Sequence, residues 1–247
     1  MYMDRALFSV CRNSRTHFWW KFRIFIPKKN MKRTLLYTLF LGLFMAGCSS
    51  DSDSDEDGVD PVPERRTSIP DRAFEEALVA RSLDDVVDGS VLTSRIENIA
   101  RLDVSNEGIS DLTGIGDFTE LTDLNVRENA LRTLNLTSNR NLLFVWAEDN
   151  ALTSLQLGSN QNIEKVGASG NQLTGLAVTE YTTLQLLDLA NNNLVSMDVS
   201  TLPLPTFNEF KIEGNPLVCI LVSPEQLEDI PASWSKDEED TYALDCE

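Results

Sequence analysis

Leu121-Thr122-Asp123-Leu124-Asn125-Val126-Arg127-Glu128-Asn129-Ala130-Leu131 is one period of a pattern that returns every 21 residues. Its apolar and asparagine positions recur as Leu142, Val145, Ala147, Asn150 and Leu152, then as Ile163, Val166, Ala168, Asn171 and Leu173, then as Leu184, Leu187, Leu189, Asn192 and Leu194. Phe207, Phe210, Ile212, Asn215 and Leu217 form a last copy after a two-residue insertion in Leu202-Pro203-Leu204-Pro205. Upstream, Ile99, Leu102, Val104 and Ile109 form a first copy with Glu107 in the asparagine position. A fixed period of this length settles the architecture before local propensity is considered.

Apolar-x-apolar alternation is a strand with one buried face. The asparagine amide carries both donors and an acceptor, so it can satisfy backbone groups where the chain turns inside a coil. The second half of each period, as in Leu131-x-x-Leu134-x-Leu136, is also extended in pattern. Short strands on both sides and few helices are expected. One turn alone would expose its apolar face; stacking turns closes a continuous core, and the ends then need caps.

These periods are leucine-rich repeats, and the chain resembles bacterial leucine-rich-repeat surface proteins related to the internalins. The resemblance implies an α/β-type horseshoe solenoid of mostly short parallel strands, about six 21-residue turns with caps at both ends. Ile69-Pro70-Asp71 followed by Phe74, Ala77 and Leu78 reads as an amphipathic cap helix. Leu92-Thr93 through Asp111-Leu112-Thr113-Gly114-Ile115 resembles the entry to the first turns. Asn215-Pro216-Leu217-Val218-Cys219, with Trp234 and Cys246, resembles a disulfide-closed C-terminal cap. Glu107 departs from the pattern and leaves the geometry of the first turn open.

The N-terminus reads as a processing signal. Lys32 and Arg33 precede an apolar run, Leu35 to Ala46, that ends in Met45-Ala46-Gly47-Cys48, a lipobox. The run is too short to span about 30 Å of hydrocarbon as a helix. Cleavage before Cys48 would leave its thiol and new amine for acylation, and two or more acyl chains anchor a protein stably. Met31 is the expected start, with residues 1–30 outside the signal; a long basic n-region is the alternative. The organisation is therefore 1–30 upstream segment, 31–47 signal peptide, 48–67 acidic tether, 68–98 N-terminal cap, 99–217 repeats and 218–247 C-terminal cap. Cys48-Ser49-Ser50-Asp51-Ser52-Asp53 also resembles the Ser- and Asp-rich stretch that marks some lipoproteins for the cell surface, which implies an outer-membrane, lipid-anchored location.

Residues 51–64 are charged and proline-bearing, as in a solvated linker. Asp53, Asp55, Asp57, Gly58 and Glu64 fit the spacing of an EF-hand loop, but Pro61 and Pro63 fall where the exiting helix would begin, and no metal site is assigned.

Residues 1–47 hold nine of the 21 basic residues and one of the 39 acidic ones, so the mature chain has 12 against 38, a net charge of −26. Such a surface repels phosphate backbones and anionic headgroups, which argues against nucleic acid and leaves the lipid as the membrane contact. The one histidine, His17, is removed with the signal. The mature chain then has no histidine base or ligand, so no catalytic, cofactor-binding or metal-binding residues are assigned. After lipidation of Cys48, Cys219 and Cys246 remain as a disulfide pair outside the cytoplasm, with two free thiols as the alternative.

Side chains flanking the buried strand positions face outward and fall in columns. One is Arg101, Asp123, Phe144, Lys165, Leu186 and Glu209. The next is Asp103, Asn125, Trp146, Gly167, Asp188 and Lys211; a third is Ser105, Arg127, Glu148, Ser169, Ala190 and Glu213. Phe144 and Trp146 stand out on a polar surface beside small Gly167 and apolar Leu186, and Asp123, Arg127, Glu148, Lys165 and Asp188 surround them as candidate ligand contacts. The alternative is a packing cluster over an irregular turn. Six strands would expose on the order of 400 Å², against roughly 800 Å² per partner in standard protein interfaces. The expected role is recognition of a protein, peptide or glycan, as in adhesion; the alternative is an accessory subunit of an outer-membrane or periplasmic assembly.

Overall fold

A computed structural model of the chain describes residues 64–246. Cys48, the expected signal peptide 31–47, the segment 1–30 and the acidic stretch 51–63 lie outside the described residues.

The repeats wind a solenoid. Each turn contributes one three-residue strand to a parallel sheet: β3 (Arg101–Asp103), β4 (Asp123–Asn125), β6 (Phe144–Trp146), β8 (Lys165–Gly167), β9 (Leu186–Asp188) and β11 (Glu209–Lys211), joined at the end by β13 (Trp234–Ser235). The middle residues of β3 to β11, Leu102 to Phe210, point into one core and are at most 3% exposed. The opposite side of the turns carries β5 (Thr133–Asn135) paired with β7 (Ser154–Gln156), and separately β10 (Ser196–Asp198), β12 (Cys219–Leu221) and β14 (Tyr242–Ala243). The fold is a leucine-rich-repeat solenoid with strands on both sides and few helices.

The asparagines do the work their position suggested. Asn171 Nδ2 donates to the carbonyls of Ala147 (2.9 Å), Ala168 (3.1 Å) and Ser169 (3.2 Å), while its Oδ1 accepts from Leu152 N at 2.9 Å. Asn150 and Asn192 repeat the same set one turn on either side. These amides link the turns through buried backbone groups, among them the Leu131, Leu152 and Leu173 N–H groups, which have no other acceptor among the described residues. At Glu107 the ladder is completed from the next turn: Asn129 Oδ1 accepts from Glu107 N and Ile109 N, and the Glu107 carboxylate turns outward to pair with Arg81 at 2.8 Å. The first turn thus keeps its corner without its own asparagine.

Another recurring feature escaped the sequence pattern. The residue before each ladder asparagine is left-handed: Glu128 (φ 53°), Asp149 (φ 56°), Gly170 (φ 68°), Asn191 (φ 57°) and Gly214 (φ 72°). Four residue types share this site, so no consensus letter announces it.

At the N-terminus, β1 (Arg66–Ser68) pairs antiparallel with β2 (Ser90–Leu92), and α1 (Arg72–Ala80) starts at the Asp71 cap, whose carboxylate accepts from Phe74 N at 3.0 Å. Phe74, Ala77 and Leu78 are buried, as the amphipathic pattern required. Glu75, 2% exposed, is held by the backbone N–H groups of Asp88, Gly89 and Ser90. A four-residue helix, α2 (Thr93–Ile96), leads into β3.

Two expectations need correction. The fold begins before residue 68: Arg65 pairs with Asp117 at 2.7 Å and Thr67 is buried in β1, so the tether boundary at 67 falls too late. A three-residue strand next to charged residues has too little alternation to show in sequence. The outer sheet also has seven strands rather than six, because the C-terminal cap continues to wind and places Trp234 opposite Phe210.

That cap is closed by a Cys219–Cys246 disulfide, with Cα atoms 5.7 Å apart. Trp234 lies against Phe207, Phe210 and Tyr242, with ring centroids 5.1, 5.4 and 5.9 Å away. Burial pushes the Tyr242 hydroxyl up to about 12. In α3 (Pro224–Glu228), a Ser223 capping box starts the helix. Gln226 then donates to the carbonyls of Val199 (2.9 Å) and Leu202 (2.7 Å), ending the stack of turns.

Candidate functional site

Pairing register places the outer columns as alternation required. Arg101, Asp123, Phe144, Lys165, Leu186 and Glu209 stand opposite one another in succession, and so do Asp103, Asn125, Trp146, Gly167, Asp188 and Lys211. Phe144 and Trp146 sit on a regular strand, either side of fully buried Val145, rather than over an irregular turn.

Both aromatic rings are engaged by cations from neighbouring turns. The Arg127 guanidinium lies 4.6 Å from the Trp146 ring centroid and forks onto Glu148, with Nε to Oε2 and Nη2 to Oε1 both 2.7 Å. This planar, two-point pairing fixes both side chains and keeps Arg127 firmly charged. The Glu148 side chain is only 14% exposed. Lys165 Nζ lies 5.9 Å from the Phe144 centroid.

Gly167 makes this arrangement possible. A Cβ there would collide with the Glu148 carboxylate and meet the Trp146 ring at 3.0 Å. The missing side chain gives room for the indole and the ion pair. The Arg127–Glu148 pairing was legible in principle, since the two residues are 21 apart in the third column with opposite charge; the role of Gly167 needed the structure.

Toward β3 the face dips into a depression of about 280 Å³ lined by Arg101, Asp103, Asp123, Asn125, Arg127 and Trp146. Toward β11, Lys211 Nζ lies 3.0 Å from Glu209 and 3.9 Å from Asp188. Burial raises the Asp188 carboxyl above its ordinary value, against the Ala190 N–H bond and Lys211, which lower it. All eight candidate residues therefore lie on one face. Leu186 and Phe144, half-buried, flank Lys165, and the rings of Phe144 and Trp146 form its apolar centre.

Among the described residues no group of three or more His, Cys, Asp or Glu is arranged to hold a metal ion. The face offers fixed charges, hydrogen-bond groups and partly covered aromatic rings, which are the means of recognition.

No family model matches the sequence, and no curated protein matches it. Among solved structures, the functional domain of InlJ from Listeria monocytogenes, which includes a cysteine ladder, superposes with a TM-score of 0.55 at 26% identity. The match covers 64% of this chain and 38% of that one, so the chain spans well under half the length of InlJ's domain. Internalin C2 from the same organism gives a TM-score of 0.36 at 18% identity over 72% of this chain and 98% of its own. Internalin inlF gives 0.31 at 14% identity over 71% and 91%. The class is set by fold and likeness together: this is a leucine-rich-repeat protein, similar in its turns to an internalin domain. Its own repeated ladder is of asparagine, and its described cysteines form the single cap disulfide.

Proposed function

We propose that this chain is an outer-membrane lipoprotein, anchored through Cys48 and displayed at the cell surface, whose outer sheet recognises a partner without catalysing a reaction. The observation that carries the reading is the ordered cluster of Phe144, Trp146, Arg127, Glu148 and Lys165. Tight packing and two-point pairing hold these side chains in place before any partner arrives, which lowers the entropy cost of binding. Aromatic residues and arginine are also the types that dominate binding energy at interfaces.

The occupied ring faces favour a protein or peptide partner over a glycan. A sugar stacking on Trp146 would have to displace the Arg127 guanidinium, whereas a polypeptide can use the edges of the rings and the charges around them. No helix among the described residues is long and apolar enough to cross a membrane. Attachment therefore rests on the lipobox reading.

Protease treatment of intact cells tests location. Digestion of the solenoid on intact cells is the expected result; digestion only after the outer membrane is opened would favour the accessory-subunit role. Lysine-reactive crosslinking tests the face, because Lys165 lies at its centre. Crosslinks from Lys165 to a partner should disappear in a Phe144→Ser/Trp146→Ser variant that melts like the parent. Their persistence would move the binding site elsewhere.

A further inference from the structure

On the side opposite the outer sheet, the first two turns part company. Ala130 N donates to Ile109 O at 2.8 Å, and Asn139 Nδ2 reaches back to Ile115 O at 2.9 Å and Phe118 O at 3.1 Å. Between these points no hydrogen bond joins the backbone of residues 111–116 to that of 133–138 among the described residues. One turn later the equivalent stretch is closed, with Leu136 N donating to Gln156 O at 2.8 Å and Thr153 N to Arg132 O at 2.9 Å.

The cause is one extra residue. From Ile99 to Leu121 the first repeat runs 22 residues instead of 21, and the extra residue falls between Leu112 and Ile115. There the chain turns through left-handed Gly114 (φ 101°) into a 3-10 helix, Ile115–Asp117, instead of forming a strand. The separation leaves a cleft of about 300 Å³ lined chiefly by Asp111, Thr113, Gly114, Gly116, Thr133 and Asn135.

One wall of the cleft is the free edge of β5. The N–H of Leu136 points toward β7, so by strand alternation the backbone groups of Thr133 and Asn135 point into the cleft. Natural edge strands are blunted by lysine, proline or a bulge. Thr133-Leu134-Asn135 has none of these, and the facing wall has no side chain at Gly114 or Gly116. Asn135 is turned away: its Oδ1 accepts from Thr137 N at 3.1 Å and Thr137 Oγ1 at 2.8 Å. The charged residue of the lining is Asp111, whose Oδ1 is used by Thr113 N and Oγ1. Its Oδ2 makes no hydrogen bond among the described residues.

We propose that this cleft is a docking groove for an extended segment of a partner polypeptide, which adds a strand to the free edge of β5 and sets a basic side chain against Asp111. Main-chain hydrogen bonds to an open edge supply affinity in this mode, and side-chain pockets supply selectivity. The chain's net charge of −18 favours a basic segment at long range, and Asp111 does so at contact. The groove is distinct from the outer face, and the two can be tested separately.

The experiment uses the full chain and a phage-displayed library of random dodecapeptides as probe. Amide exchange should first show Thr133 and Asn135 exchanging fast while Leu136 is protected. Selection should enrich peptides bearing Lys or Arg. A synthetic selected peptide should slow exchange at Thr133 and Asn135 at least about tenfold, and lose at least about tenfold in affinity when alternate backbone nitrogens are methylated. Thr133→Trp, which fills the groove, should weaken binding by a similar factor; Asp111→Asn, which keeps the Thr113 turn, serves if Thr133→Trp fails to fold. Trp146→Ser should leave this binding unchanged. The proposal is overturned if the two amides are already protected in the free chain, if no peptide is selected, or if selected peptides bind the groove variants as well as the parent.

Discussion

The two sides of the solenoid are made by the same turns, yet one is an unbroken sheet of seven strands and the other breaks twice. On the outer side the turns of β4, β6, β8, β9 and β11 enter the strand from the same spacing and leave it through a corner tied by their own asparagine, Asn129, Asn150, Asn171, Asn192 and Asn215. Beyond the opposite strands only Asn139 and Asn160 among the described residues make a comparable bridge, and the series then passes to Tyr181 and Leu202, so local composition decides more of each rung. At residues 111–116 an inserted residue throws the chain out of register. At 175–177 the pattern Leu173-x-x-Leu176-x-Val178 is intact, but the flanking positions are Gly175 and Ala177 where other turns have Thr133 and Asn135 or Ser154 and Gln156. Glycine weakens a strand through backbone entropy, and the rung is lost. Continuity thus depends on the corner that feeds each strand more than on the apolar positions within it.

The largest effect should come from removing a corner. Asn171→Ala leaves the buried Leu152 N–H without an acceptor and takes one of two donors from each of the Ala147, Ala168 and Ser169 carbonyls, which keep Asn150, Asn192 and the Asp149 N–H. At about 2 kcal/mol for the unsatisfied N–H and about 0.5 kcal/mol for each carbonyl bond lost, a loss of roughly 3.5 kcal/mol is expected, read by urea denaturation. A loss under about 1 kcal/mol would show that the asparagines do not distinguish the two sides. The opposite side can be probed at equivalent leucines. Leu134→Ala, in β5 and 1% exposed, should cost about 3 kcal/mol, whereas Leu176→Ala, in the broken rung and only partly buried, should cost nearer 1. Equal losses would mean that the missing rung packs as well as a strand.

A gain of stability is expected at Glu128. Its φ of 53° is strained for a residue with a Cβ, and the homologous sites Gly170 and Gly214 avoid the strain. Glu128→Gly should stabilise the chain by about 0.5 kcal/mol after the entropy cost of glycine, seen as a small rise in melting temperature. A fall would show that the Glu128 side chain supports the corner in some other way.

Sequence reading recovered the outer side almost completely because its signal is periodic. Apolar spacing, asparagine corners and the two outward columns within the strands all follow from a count of 21 residues. The cap helix was legible because Phe74, Ala77 and Leu78 share one face, and the cap disulfide because two cysteines were left to pair. The opposite side was less legible: a strand and an irregular loop differ there by one residue or one glycine, which leaves the apolar pattern in place. The candidate face was legible residue by residue, but its organisation was not. The indole seat at Gly167 and the guanidinium held between Trp146 and Glu148 depend on contacts across three turns, and the left-handed corners depend on backbone angle rather than on residue type.

The smallest expected effect measures what the unbroken sheet costs in charge. Asp188 is half-buried on β9, with Glu148 and Glu213 near enough to oppose its ionisation, and burial is the main cause of its raised pKa. A carboxyl whose folded pKa lies above the unfolded one binds its proton more readily in the folded state. Stability from this group is therefore full below the ordinary carboxylate range and declines as pH rises from 3.8 toward the raised folded value. Asp188→Asn removes that dependence while keeping an oxygen for the Ala190 N–H. The variant should melt slightly above the parent at pH 7, with the difference shrinking as pH falls and gone below the carboxylate range. If the variant is instead less stable at pH 7, the attraction of Lys211 outweighs burial, and the carboxylate then strengthens the outer sheet.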